Sequence, residues 1–200
     1  MYVENLHKPN KWLQLQKIVN SGMVDIIPRS DAKPDNIISG SLVRKRRDHF
    51  FQLKIVNKES ANISKYHYYQ EVIEKIDQFR IHVINNKVSF VSRLVPKEYS
   101  STYNFQWKMS GFRFIIVKSG SDRMPPKSVL DSAEKISEIL DHKISAQDWI
   151  VSKDGRFLFI ESNKAPGLCD SNLKRYKEAM NGEDPWWNYG VVSKLQEVEE

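Results

Sequence analysis

Hydrophobic positions change their spacing several times along this chain, and each change marks an element. In residues 8–21, Trp12, Leu15 and Ile18/Val19 recur at helical spacing before Ser21-Gly22, which predicts a short amphipathic helix with a core-facing stripe. Period two then takes over. Residues 23–27 predict a short strand, and 28–36 a loop with prolines and mixed charges. Residues 42–47 and 50–56 predict paired strands with a tight turn at Asp48-His49, followed by a polar loop over 57–65 and a strand over 66–73. After a charged break, 74–77, residues 79–84 and 87–94 predict a hairpin turned at Asn85-Asn86. Alternation there separates Arg80 and His82 from Phe79, Ile81 and Val83, and assigns Arg93 to the polar face with Arg80 and His82.

Residues 96–111, with Trp107 and Gly111, read as a long loop of the kind that serves binding or closure. Residues 112–117 predict a strand and 119–123 a turn. Residues 127–142 predict a helix, with Leu130, Ala133, Ile136/Ser137 and Leu140 as its stripe. Asp170 or Ser171 is placed to cap a last helix through Met180, which Asn181-Gly182 ends. Residues 185–189 are aromatic and 194–200 acidic.

Residues 146–168 carry the most chemistry. Asp154-Gly155 predicts a two-residue type I′ turn between two apolar arms, because that turn needs positive φ at both centres. Counting from it, Lys153 faces Arg156, Ser152 faces Phe157, Ile150 faces Phe159 and Asp148 faces Glu161, with Asn163 on the face of Glu161. Two opposed carboxylates repel. A divalent cation reverses that sign, and two carboxylates with an Asn carbonyl form a hard oxygen set suited to Mg²⁺. A solvated strand end, where the repulsion is screened, is the competing reading.

Composition narrows the classes. Forty per cent hydrophobic residues, with five Trp, eight Tyr and nine Phe, supply a core and exclude a disordered chain. The net charge of +6 favours anionic partners, although a plainly basic surface explains it as well. The single cysteine, Cys169, excludes an internal disulfide and points to a reducing compartment. It reads as a packed thiol rather than a nucleophile, since no His is placed to activate it. Residues 1–12 hold no signal-peptide apolar run, and no segment reaches the roughly 20 apolar residues that span a bilayer. The expectation is a cytoplasmic protein without a membrane partner.

Arg44 and Arg46 share one strand face, and Lys45 and Arg47 the other. Such a strand aims cations at polyphosphate, with nucleic acid and a solvated edge as competing readings. Phe50, Phe51, Trp186 and Trp187 keep a nucleic-acid-binding module open. No Gly-rich P-loop is present.

Asp148, followed after twelve residues by Phe159-Ile160-Glu161-Ser162-Asn163-Lys164-Ala165-Pro166-Gly167-Leu168, resembles the end of the ATP-grasp core, and residues 69–83 resemble its hinge strand and the strand after it. The likeness covers roughly residues 40–180 and extends to ribosomal-protein glutamate ligases and small bacteriophage ATP-grasp proteins. It implies an α+β fold of antiparallel sheets with packed helices, with the N-terminal substrate domain reduced or absent. The implied division is a short segment over 1–40, a nucleotide-binding domain over 41–180 and a tail over 181–200.

The resemblance also implies roles. Asp148, Glu161 and Asn163 would hold one or two Mg²⁺ against ATP. Residues Gln70, Glu71, Val72 and Ile73 would pass the adenine edge, and Gln78, with Asp77 beside it, would meet the ribose. Arg44 would lie near the first phosphate strand, and Arg80 and Arg93 would face the phosphates or the acyl phosphate. The implied reaction is ATP-dependent joining of a carboxylate to an amine, on a peptide or amino acid, in the cytoplasm of the cell or of a phage host. An oligomer or a partner chain is left open. The departures are Asp48-His49-Phe50-Phe51-Gln52 in place of a glycine-rich loop, and Gln78 in place of an acid. They motivate the alternative of a nucleotide binder without turnover.

Overall fold

The computed structural model describes residues 10–38, 41–46, 54–61, 63, 67–96, 112–164 and 170–181. The expected turn at Asp48-His49, Phe50 and Phe51, the loop with Trp107, the Pro166-Gly167 turn, Cys169, and Trp186 with the acidic tail lie outside them.

The described elements are α1 (Lys11–Asn20), β1 (Ser30–Asp31), β2 (Ser41–Arg46), β3 (Lys54–Asn57), β4 (His67–Glu71), β5 (Lys75–Ile84), β6 (Lys87–Pro96), β7 (Phe112–Ile116), α2 (Lys127–Leu140), β8 (Ile144–Ser152), β9 (Phe157–Asn163) and α3 (Asp170–Met180). They form two sheets, ordered β1-β4-β2-β3 and β7-β6-β5-β8-β9, with every pairing antiparallel. The predicted α+β class is the one observed.

Local chemistry explains the elements. Asn10 caps α1, its side-chain oxygen accepting from the Leu13 N–H at 3.2 Å, and the helix buries Leu15 and Ile18. Asn85 and Asn86 both take positive φ, 49° and 61°, and turn β5 into β6. The stripe of α2 (Val129, Ala133, Ile136 and Leu140) joins Phe79, Ile81, Val83, Trp149 and Phe159 in the main core. One face of the five-stranded sheet is therefore committed to packing, and the other carries the polar groups.

Several expectations are corrected. Residues 23–27 form no strand, with a turn at Asp25-Ile26, and the short strand lies at Ser30–Asp31. The charged break expected over 74–77 shrinks to Glu74, because β5 starts at Lys75. The Asp154-Gly155 turn takes three residues: the Ser152 N–H donates to the Arg156 carbonyl at 2.9 Å, and only Gly155 has positive φ, at 84°. Near the turn the pairing is consequently Ile150 with Leu158 and Val151 with Phe157. An extra residue in β9, Ile160, then restores the predicted pairing of Asp148 with Glu161.

Candidate functional site

Three β-bulges decide which side chains share the polar face. Bulges insert one unpaired residue, and with period-two alternation one residue reverses every side chain beyond it. In β9 the extra residue is Ile160, so Leu158 and Glu161 both face the site. In β5 it is Ile76, which brings Lys75 onto the face of Gln78 and Arg80. In β6 it is Ser89, which pairs Arg93 with Phe79 and Ser92 with Arg80. Arg93 therefore lies on the opposite face from Arg80 and His82, contrary to the alternation read from sequence. There its Nε donates to Asp77 at 2.8 Å and 2.9 Å.

The resulting centre is a row across three strands. Arg80 on β5 pairs with Asp148 on β8, and Asp148 pairs with Glu161 on β9. The Arg80 Nε donates to Asp148 Oδ1 at 2.7 Å and its Nη2 to Oδ2 at 3.0 Å, a bidentate fork. Burial pushes the Asp148 carboxyl up, Arg80 pulls it back down, and Glu161 adds to the rise. Glu161 is ion-paired with the Lys11 ammonium of α1. The Asn163 Nδ2 donates to Glu161 Oε1 at 3.2 Å, leaving the carboxamide oxygen as an acceptor on the same face. The two opposed acids are thus matched by two cations. Among the described residues no group of three or more His, Cys, Asp and Glu converges, and the Asn163 oxygen is a third oxygen donor beside the two carboxylates.

One side of the row is apolar: Ile73 packs with Ile150 and Leu158, with Ile160 beside them. Gln78 and Lys75 border this patch, the Lys75 Nζ donating to Gln78 Oε1 at 3.0 Å. Burial lowers the Lys75 pKa to about 8, against the opposing pull of Asp148 and Asp77. Among the described residues, neither Val72 nor Ile73 makes a backbone–backbone hydrogen bond. The other side is aromatic: the Arg80 guanidinium lies 4.3 Å from the centre of the Phe114 ring.

His82 is structural. Its ring stacks on Phe90 at 3.9 Å, and its nitrogens meet Tyr176 Oη at 2.6 Å and Ser92 Oγ at 3.2 Å. Ser92 Oγ donates onward to the Arg80 carbonyl, so the network assigns the His82 proton to Nε2 and leaves Nδ1 accepting from Tyr176. Burial drives its pKa down to about 3.

No protein-family model matches the chain, and no curated protein matches it. Solved structures do. The ATP-grasp ligase PsnB complexed with minimal precursor, Mg and ADP matches with a TM-score of 0.61 and 16% identity over 88% of this chain and 58% of that one. The macrocyclase MdnC bound with precursor peptide MdnA, from Microcystis aeruginosa MRC, matches with a TM-score of 0.56 and 20% identity, over 81% and 54%. D-alanine–D-alanine ligase from Bacillus anthracis matches with a TM-score of 0.58 and 14% identity, over 88% and 63%.

The fold is the ATP-grasp fold. The chain spans between 54% and 63% of the length of these three chains. On this ATP-grasp frame Asp148, Glu161, Asn163 and Arg80 converge, Gln78 flanks them, and Val72 and Ile73 form the link between the sheets. Gln70 and Glu71 turn away: Gln70 donates to Ser30 Oγ at 3.0 Å, and Glu71 accepts from the Arg29 N–H at 2.9 Å. Arg44 lies on β2 beside Tyr69. Lys11 and Lys75 escaped the sequence reading, the first for want of any local signal, the second because residues 74–77 read as a charged break whereas β5 starts at Lys75. No described helix is long and apolar enough to cross a membrane.

Proposed function

We propose that the chain is an ATP- and Mg²⁺-dependent carboxylate–amine ligase that works through an acyl phosphate on a peptide or amino-acid substrate. The observation that carries this reading is the row Arg80–Asp148–Glu161, with Asn163, set beside an apolar patch on one face of an ATP-grasp sheet.

The donor set fits the ion. Two carboxylates and a carboxamide oxygen on adjacent strands are hard ligands with little side-chain freedom left to lose, and Mg²⁺ commonly takes one or two carboxylates with phosphate oxygens. Asp148, Glu161 and Asn163 would hold it. When bound, Mg²⁺ offsets charge on the transferring phosphoryl group. Ile73, Ile150 and Leu158 supply an apolar bed for a purine, and the Val72–Ile73 backbone supplies its edge contacts. Gln78 and Lys75 border the sugar, and Arg80 supplies a cation for phosphate oxygens. Asp77 and Arg93, paired on the opposite face, take no part.

In the chemistry proposed, a substrate carboxylate oxygen attacks the γ-phosphorus and ADP leaves. An amine then attacks the acyl carbon, phosphate leaves, and the amine proton passes to solvent. No side-chain nucleophile is needed, and catalysis rests on positioning and charge. Incubation of the full chain with Mg-ATP and pools of amino acids and peptides is expected to release ADP, and Glu161→Gln to abolish the release. Release unchanged in that variant rejects the assignment.

Gln78 in place of an acid, already engaged by Lys75, favours a second reading: nucleotide binding without turnover. Its signature is a Mg-ATP-dependent rise in melting temperature with no ADP formed.

A further inference from the structure

The Lys11–Glu161 pair has no counterpart in the reading above, and its surroundings show that it is built in. The first turns of α1 are fastened to β9 and β4 at neighbouring points. Gln14, buried, uses both ends of its amide on one residue of β9: Nε2 donates to the Ser162 carbonyl at 2.9 Å, and Oε1 accepts from the Ser162 N–H at 3.1 Å. Ser162 lies between Glu161 and Asn163. Trp12 lies against the Tyr68 ring at 5.3 Å, and Glu161 contributes to the raised pKa of that Tyr68 phenol, after burial. Lys11 is thereby carried to the carboxylate that faces Asp148.

Charge makes the consequence definite. Asp148 and Glu161 are balanced by Arg80 and Lys11, so these four groups are neutral together without any ion, with Lys75 a further cation in the field of Asp148. Arg80 is held by two hydrogen bonds to Asp148 from a neighbouring strand. Lys11 instead reaches Glu161 from a helix outside the sheet, with a flexible stem and a point charge. A divalent ion that adds to this neutral set without displacing a cation leaves it with two excess positive charges at close range. The ion therefore competes with the weaker-held ammonium.

We propose that Lys11 is an exchangeable counter-ion of the cation site: its ammonium stands where a divalent ion would neutralise Glu161, and metal binding releases it. This inference rests on the proposed metal role of Asp148, Glu161 and Asn163. It makes α1 part of the site, because the freed ammonium remains tethered beside it and faces whatever anion arrives with the metal. It also means that the apparent affinity for metal alone is set below the intrinsic affinity by the cost of parting Lys11 from Glu161.

The test is titration of the full chain with MgCl₂, without nucleotide, against KCl at matched ionic strength, read by melting temperature and by calorimetry. The proteins are wild type, Lys11→Met, Lys11→Arg and Glu161→Gln. Lys11→Met is expected to melt below wild type without metal, then to bind Mg²⁺ several-fold more tightly and gain more from it. Lys11→Arg, with a second hydrogen-bonding arm for the carboxylate, is expected to bind Mg²⁺ no more tightly than wild type. Glu161→Gln is expected to lose the Mg²⁺ response. Wild-type or weaker Mg²⁺ affinity in Lys11→Met, with the response lost in Glu161→Gln, overturns the role of Lys11 and leaves the metal site standing. A response unchanged in Glu161→Gln, or absent from wild type and Lys11→Met alike, overturns both.

Discussion

Arg80 and Asp148 stand directly opposite each other on β5 and β8, and the guanidinium grips both carboxylate oxygens, at 2.7 Å and 3.0 Å. The pair is the fixed part of the site. Removing only the arginine leaves a carboxylate largely withdrawn from water and beside Glu161. Arg80→Gln is expected to lower unfolding stability by about 3 kcal/mol, as for a broken buried pair. Arg80→Gln with Asp148→Asn is expected to lose less than the sum of the single changes, by about 1 kcal/mol or more. Urea unfolding of the four proteins measures both.

The buried His82 sets the acid side of stability. Its folded pKa, about 3, lies below its unfolded value of about 6.5. Between those values the unfolded chain binds a proton that the folded chain refuses. The contribution is therefore complete above about pH 6.5 and is lost as pH falls toward 3, at up to about 1.4 kcal/mol per pH unit. His142, lowered to about 4 mainly by burial, works in the same direction. Urea midpoints across acidic pH are expected to fall with pH in wild type and to fall less steeply in His82→Gln. Parallel slopes in the two proteins contradict the assignment.

Gln14 ties α1 to the edge strand with two hydrogen bonds to Ser162. Gln14→Leu keeps the volume and orphans a backbone N–H and C=O. A loss of about 2–3 kcal/mol is expected. Hydrogen exchange at the Ser162 amide, read by NMR, should accelerate in the same variant while the α2 amides hold their protection.

Gly155 turns β8 into β9 at φ 84°, and nothing lies within 4 Å of where a Cβ would stand. A substitution there meets backbone strain alone. Gly155→Val is expected to cost about 1–2 kcal/mol, and Gly155→Asn less, because Asn tolerates the left-handed region. Equal costs in chemical unfolding would point to a steric contact instead.

The site was legible in sequence where a strong turn lay close to it. Asp154-Gly155 located the hairpin, and the opposition of Asp148 to Glu161 came out right although two irregularities had to cancel: a turn one residue longer than predicted and the extra Ile160. Arg93 shows the same arithmetic failing. One unpaired residue, Ser89, lay between a correctly read Asn85-Asn86 turn and Arg93, with no second bulge to correct it. Lys75 was missed for another reason: its charged stretch read as a break, although β5 runs through it with Ile76 unpaired. A bulge carries no residue-type signature strong enough to outvote alternation. Lys11 is a different failure, since 150 positions separate it from Glu161 and only tertiary packing joins them.

Those three unpaired residues give the strands an uneven tolerance to change. Ile76, Ser89 and Ile160 act by being counted, so many substitutions there preserve the face on which Lys75, Arg93 or Glu161 emerges. Loss of a single codon at any of them would turn the neighbouring side chains through the sheet; at Ile160 it would send Glu161 and Asn163 toward Trp149 and α2. In a lineage of such chains, lengths at these three points would be held constant while identities drift. A comparison of residues alone would therefore pass over the positions that hold the site in place.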